Sequence, residues 1–188
     1  GPHPAGNLSL HIQKLSPLNM NDHVWTVNPE DVVNIGRFVS SGVFSPQRTI
    51  AVSGNAVKNP KYFRTKIGAE LAPILNKVGI KFDNVRVING DVLTGNTAFI
   101  SGHLGYFNNL VTVIPEGSHY RMFGWLPFKD NKILSLSNTS LSRLFNRKGF
   151  EVDTNLNGEE RALVVTGEME KFFPLDIYPM QLIKACMT

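Results

Sequence analysis

Four cations, Lys58, Lys61, Arg64 and Lys66, interleave with Tyr62 and Phe63 in the stretch TIAVSGNAVKNPKYFRTKIG, residues 49–68. Charges spaced in this way with rings between them can contact phosphate or another anionic partner, and the rings can stack on flat groups. The competing and commoner reading is a solvated strand face, and one strand with rings is a weak sign of a stacking platform, because aromatic side chains are also ordinary core material. A second aromatic concentration, Met122, Phe123, Trp125, Leu126 and Phe128, could line a pocket for a flat apolar ligand, against the plainer reading of core packing. His103 and His119 are lone imidazoles, and His3 and His11 lack the ligand spacing of a metal site. Glu159-Glu160 and Glu168 with Glu170 read as solvated loop charge rather than as an acid–base pair. No Gly-x-Ser-x-Gly is present, and no Gly-Lys-Ser/Thr follows the glycines of AFISGHLGYFNN, residues 98–109. No catalytic constellation and no metal are therefore expected here.

Composition narrows the class. The 188 residues are 42% hydrophobic, enough for a real core in one large domain or two small ones, and the net charge is +4. That mild basic excess permits contact with an anionic surface without demanding it. No run of about eighteen apolar residues exists, so no membrane-crossing helix is expected. The single cysteine, Cys186, excludes an internal disulfide, fits a reducing compartment, and reads as a half-buried small residue.

The elements that must position these residues follow from local pattern. Thr49-Ile50-Ala51-Val52 is a buried strand stopped by Ser53-Gly54-Asn55. Asn59-Pro60 turns the chain into a second strand, residues 62–67, and Gly68 closes it. A short helix follows from Ala69, with Gly79 as its stop. Strand, bend, strand, helix is the opening of a β-grasp unit. Upstream, Leu8, Leu10 and Ile12 alternate like a half-buried strand, and Val24-Trp25-Thr26-Val27 reads as another. Asn28-Pro29-Glu30-Asp31 starts a helix, with a capping amide, a proline where its missing N–H is harmless, and two carboxylates at the positive helix end. Ser41-Gly42 ends it. The first fifty residues or so thus read as β-α-β, the closing half of an α/β domain. Downstream, residues 84–88 form a strand, and residues 110–114 and 118–125 a hairpin around Pro115-Glu116-Gly117. Strands are expected at residues 133–136 and 161–166, a helix carrying Leu141, Leu144 and Phe145, and a helix from Pro179.

Several motifs in this chain resemble the A subunit of the sodium-translocating NADH:quinone reductases. They are GPHPAG (residues 1–6), VVNIGRF (32–38), SGNAVKNPKYFRTKIGAEL (53–71), VRVINGDVLTG (85–95), MFGWLPFKDNKILSLSNTSLSRLF (122–145) and VVTGEMEKFFPLDIYPMQLIKA (164–185). GPHPAG and FPLDIYP are the most specific. The stretch at 53–71 is also similar to the C subunit of Rnf electron-transport complexes and, more distantly, to the FMN-bearing subunit of complex I. Ser9-Leu10-His11 departs from the residues family members often carry after GPHPAG.

The resemblance implies an α+β fold: the closing half of a Rossmann-like domain (residues 1–48), a soluble-ligand-binding (SLBB), ubiquitin-like β-grasp domain (49–146), and a loop, strand and C-terminal helix start (147–188). It implies a piece of a longer chain. The expected role is a cofactor-free, peripheral part of a sodium pump on the cytoplasmic face of the bacterial inner membrane. Its partners would be the other subunits of the NADH:quinone reductase complex, notably the membrane-embedded B subunit, and not nucleic acid. NADH, flavins and iron–sulfur centres would belong to the rest of the complex. Quinone is the one ligand implied, and no family motif residue carries over to contact it. On residue type alone, His103, Tyr106, Phe123 and Trp125 are the candidate quinone or partner contacts. Lys58, Lys61, Arg64 and Lys66 are the candidate anionic-partner contacts. The alternatives are an Rnf-type C subunit and a stand-alone module for a soluble ligand or nucleic acid.

Overall fold

The computed structural model describes residues 4–118, 150–156 and 162–187. The chain divides into two compact units, one of Gly1–Gly36 with Arg161–Thr188 and one of Arg37–Glu160.

The second unit holds a five-stranded mixed sheet with strand order β2-β1-β5-β3-β4. β1 (Gln47–Ser53) and β2 (Lys61–Lys66) form an antiparallel pair, and α3 (Ala72–Val78) follows. Then come β3 (Val85–Asn89), β4 (Asn96–Ala98) and β5 (Leu110–Pro115). β5 lies parallel to β1 and antiparallel to β3, so the first and last strands meet in the middle of the sheet. This is the β-grasp arrangement. Its cause is visible in β5, whose run Leu110-Val111-Thr112-Val113-Ile114 is apolar on both faces and suits only a central position. Thr112, the exception, satisfies its hydroxyl on the Gly90 carbonyl at 2.7 Å.

One sheet face carries Ile50, Val52, Val87, Val111 and Val113, and α3 adds Ile74, Leu75 and Val78 to the same core. Those three sit at i, i+1 and i+4, one helical stripe. Pro73 lies in the first turn, where its lost N–H costs nothing, and Gly79 closes the helix at φ +69°. Leu71 and Leu104 complete the core from the loops.

The second arm of the hairpin expected of residues 110–114 with 118–125 lies, from residue 119 on, outside the described residues. At Val111 and Thr112 both edges of β5 are occupied, by β1 and β3. The strand expected at 133–136 and the helix carrying Leu141, Leu144 and Phe145 also lie outside the described residues.

In the first unit the structure corrects three expectations. Residues read as a strand on the alternation of Leu8, Leu10 and Ile12 form helix α1 (Leu8–Leu15). Over five residues the two periods cannot be separated: Leu8, Ile12 and Leu15 are also i, i+4, i+7, and the turn at residues 4–6 delivers Asn7 as the helix N-cap. Residues 24–27 form no strand; Trp25 is 94% exposed, and a short β-prone run without a neighbouring strand is not stable. Residues 162–166 likewise form no strand, and Arg161 lies outside the described residues.

Helix α2 (Pro29–Ser41) begins and ends where its signals place it, with Glu30 and Asp31 in the first turn and Gly42 at φ +71° beyond it. Helix α4 (Pro179–Met187) starts at its proline, and Glu170 Oε1 accepts from the Met180 amide at 3.4 Å. Glu168 pairs with Lys171 at 2.6 Å on the surface. Neither carboxylate is part of an acid–base pair among the described residues. Glu159 and Glu160 lie outside them.

One ion pair ties β3 to the end of β5. Arg86 Nε donates to Glu116 Oε2 at 2.9 Å, and the second guanidinium nitrogen donates to Oε1. Thr154 Oγ1 donates to the same carboxylate at 2.9 Å and accepts from the Gly117 amide at 2.6 Å, which fastens residues 150–156 to this end of the sheet. Partial burial by itself would push the Glu116 carboxyl up. The bonds from Arg86 and Thr154, with the guanidinium charge, outweigh that and hold it below its ordinary value of 4.5.

Two tests follow from these contacts. A Cβ at Gly54 would stand 2.1 Å from the Val113 carbonyl oxygen, at a φ of +119°. Gly54→Ala is therefore expected to cost about 3 kcal/mol or more in chemical denaturation. Gly36→Ala, inside α2 with nothing within 4 Å, is the control that should not destabilise, since alanine is the better helix former. For Glu116, a depressed folded pKa means its stabilisation is complete above the ordinary carboxylate range and is lost as pH falls through the lower folded value. Denaturation midpoints measured from about pH 6 to about pH 3 should fall more steeply for the wild type than for Glu116→Gln.

Candidate functional site

At one end of the sheet the chain presents a loop rich in rings, residues 99–109, between β4 and β5. The loop is pinned at several points. Leu104 is buried in the core, and its amide donates to the Ala69 carbonyl at 2.8 Å. The Leu71 amide donates to the Gly102 carbonyl at 2.9 Å, and the Ala51 amide to that of Asn109 at 2.9 Å. Asn89 Nδ2 donates to the His103 carbonyl at 3.0 Å. A backbone held this firmly leaves its outward side chains in fixed places.

Arg48 makes the decisive contact. It alternates with Ile50 and Val52 on the core-facing side of β1 and is only 2% exposed. From there Nη1 donates to the Tyr106 carbonyl at 2.8 Å, and the guanidinium carbon lies 6.0 Å from the centre of the Tyr106 ring. The Tyr106 and Phe107 rings meet edge to face, with centroids 4.8 Å apart. Tyr106 remains 55% exposed and Phe107 72%, and Phe99 and Ile100 are also exposed. The result is a rigid, ring-bearing surface with a buried cation beneath it. Such a surface can accept a flat apolar group or an apolar protein face.

The candidate residues named on type divide accordingly. His103 and Tyr106 both lie on this loop. The His103 side chain is exposed, while its backbone bridges to Glu70 and accepts from Asn89. Phe123 and Trp125 lie outside the described residues, so nothing places them with Tyr106. Of the four cations, Lys61, Arg64 and Lys66 lie on β2 and are exposed. Lys58 belongs elsewhere. Its amide donates to the Gly79 carbonyl at 2.9 Å, which sets it at the C-terminal end of α3, where a cation meets the negative end of the helix dipole. His119 lies outside the described residues. Among the described residues, no cluster of His, Cys, Asp and Glu could hold a metal ion.

Sequence reasoning missed Arg48 and Phe107. The expected strand started at Thr49, one residue too late to include the arginine. Extending the alternation back from Val52 and Ile50 would have put Arg48 on the buried face, and a buried arginine demands a partner.

Comparison with known proteins names the family. The family model described as the NqrA second alpha/beta domain matches residues 1–44, and that described as the NQRA C-terminal domain, of the SLBB type, matches residues 49–99. The A subunit of the Na(+)-translocating NADH-quinone reductase of Hahella chejuensis is 42% identical over 100% of this chain. The corresponding subunits of Neisseria meningitidis serogroup B and Yersinia pseudotuberculosis are 38% and 39% identical, each over 98% of it.

This chain belongs to the NqrA family, the A subunits of these reductases. It spans 42% of the length of the Hahella relative and 41% of the other two. The SLBB match covers the β-grasp unit from within β1 to just past β4, and α1 and α2 both lie in the match to the second alpha/beta domain. The matching relatives are A subunits of the sodium-translocating enzyme, which sets aside the Rnf-type alternative.

Arg48→Met keeps most of the stem volume but removes the donor to Tyr106. It should cost about 1.5–3 kcal/mol, the range for a hydrogen bond from a charged group. Hydrogen exchange should accelerate at residues 104–109 in this variant, while exchange in α3 changes only as global stability does.

Proposed function

We propose that this chain serves as part of the A subunit of a sodium-pumping NADH:quinone oxidoreductase, as a binding and docking element that bears no redox group of its own. The observation that carries this reading is the match to an NqrA relative at 42% identity across the whole chain. In this reading the chain is peripheral and sits on the cytoplasmic face of the membrane. It contacts the membrane subunits, the B subunit among them, while NADH, flavins and iron–sulfur centres are held elsewhere in the complex. Two features support a peripheral place: no described helix is long and apolar enough to cross a membrane, and the rings of residues 99–109 face outward. The division at residues 1–48, 49–146 and 147–188 belongs to the same reading.

The ligand we assign to the aromatic loop is quinone. A quinone ring is flat and weakly polar, and Tyr106 with Phe107 offers an exposed ring surface beside an exposed imidazole, His103. Phe123 and Trp125 remain candidates on residue type.

The test uses the full-length protein carrying this sequence, tagged and purified from gently solubilised native membranes. The eluate is expected to contain partner subunits and Na⁺-stimulated NADH:quinone reductase activity. A soluble, inactive eluate without partners would overturn the assignment and leave a stand-alone ligand-binding module as the better reading. Within an active complex, Tyr106→Ala with Phe107→Ala should raise the KM for quinone about tenfold, as the loss of one to two kcal/mol of ring contact requires. An unchanged KM would remove the loop from the quinone site while leaving the place of the chain in the complex intact.

A further inference from the structure

The outer side of β2 is the second feature of this unit that its own packing does not explain. β2 is the terminal strand of the sheet, paired with β1 on one side. Among the described residues nothing pairs with its other side, and Tyr62, the second of its six residues, is 78% exposed. A free strand edge is a row of backbone donors and acceptors ready for another strand.

The charge on this edge is one-signed. Between Asp31 and Glu70 the sequence contains no Asp or Glu, and Lys61, Arg64 and Lys66 occupy half of the six β2 positions. All three are exposed, and no described carboxylate pairs with them. Lys61 Nζ lies 5.3 Å from the Phe63 ring centre, an attraction that leaves its charge unneutralised.

The register assigns the charges to faces. Ile50 pairs with Phe63 and Val52 with Lys61, so Lys61 is on the core-facing side of the edge. Thr49 pairs with Arg64 and Gln47 with Lys66, so these two are on the opposite side, with Tyr62. A flat anionic membrane would meet coplanar charges, and these are not coplanar. An extended chain laid beside β2 presents its own side chains alternately to both faces, at the same spacing of about 6.6 Å between alternate residues. It can meet Arg64 and Lys66 on one face and Lys61 on the other.

We propose that the outer edge of β2 is a docking edge for an extended acidic segment of a partner polypeptide, which joins the sheet as a further strand. Backbone hydrogen bonds supply the pairing, and the three cations select for carboxylates. The same charges repel a second copy of β2, so the edge is closed to self-association and open to an acidic strand. This inference stands on the geometry of β2 and does not depend on the quinone reading.

The test titrates the isotope-labelled 188-residue protein with a capped peptide, Val-Glu-Glu-Val-Glu-Glu-Val, which when extended presents carboxylates to both faces. The same peptide N-methylated at every residue keeps the charge and loses every backbone donor. The first peptide is expected to bind and to slow amide exchange within β2. The methylated peptide is expected to bind at least about tenfold more weakly, because strand pairing needs its donors. The double variant Arg64→Glu with Lys66→Glu should also bind at least about tenfold more weakly, and Arg64→Gln with Lys66→Gln should fall between it and the wild type. Circular dichroism and melting of these exposed-site variants should match the wild type, which separates lost binding from lost folding.

Failure of the unmethylated peptide to bind overturns the proposal. Equal binding of both peptides also overturns it, because charge alone would then suffice. Binding only to phosphatidylglycerol vesicles, or only to an oligothymidylate, abolished by the same charge reversal, overturns it in favour of a membrane or a nucleic acid.

Discussion

The parallel pairing of β1 with β5 is the constraint on which the sheet-bearing unit depends. Ala51, Val52 and Ser53 align with Leu110, Val111 and Thr112, which joins segments almost sixty residues apart in sequence. Contacts of that separation carry a large loop-closure cost and are repaid only by a well-packed core. Here the repayment comes from Ile50, Val52, Val111 and Val113 on one face, covered by α3. The pairing also demands a close passage just after β1, where Gly54 runs against the Val113 backbone with no room for a Cβ. Once β1 and β5 are side by side, β2 has only the outer position next to β1, and β3 takes the far side of β5.

That arrangement also decides where the ring-bearing loop and the basic edge lie. Because β1 and β5 run the same way, the start of β1 and the loop leading into β5 share one end of the sheet. Arg48 on β1 can therefore reach the Tyr106 carbonyl directly. A buried arginine is costly to desolvate, so its presence on the core-facing side reflects what it holds: the loop that carries Tyr106, Phe107 and His103. The cations of β2 are the opposite case. They are exposed, pair with no described carboxylate, and give the sheet a basic edge.

The two surfaces fit a component of a larger assembly in different ways. The ring-bearing loop is apolar, rigid and fixed from beneath. The β2 edge is charged and, among the described residues, has no neighbouring strand on its outer side.

Sequence pattern by itself determined those elements whose signals are local. The helix from Pro29 to Ser41, the strand through Ile50 and Val52, the short helix stopped by Gly79 and the helix from Pro179 all announce themselves through caps, breakers and periodicity within a few residues. Motif content also carried the family. Elsewhere the local pattern was ambiguous or lacked its partner. Leu8, Leu10 and Ile12 satisfy a strand period and a helix period alike, and the turn before Asn7 settled the matter in favour of α1. Val24-Trp25-Thr26-Val27 has strand propensity and no described strand beside it. Only the tertiary structure decided that β5 lies between β1 and β3, that Lys58 leaves the other cations for the end of α3, and that Arg48 lies beneath Tyr106. Each of these depends on which strand lies beside which, a long-range pairing that a window of a few residues does not encode.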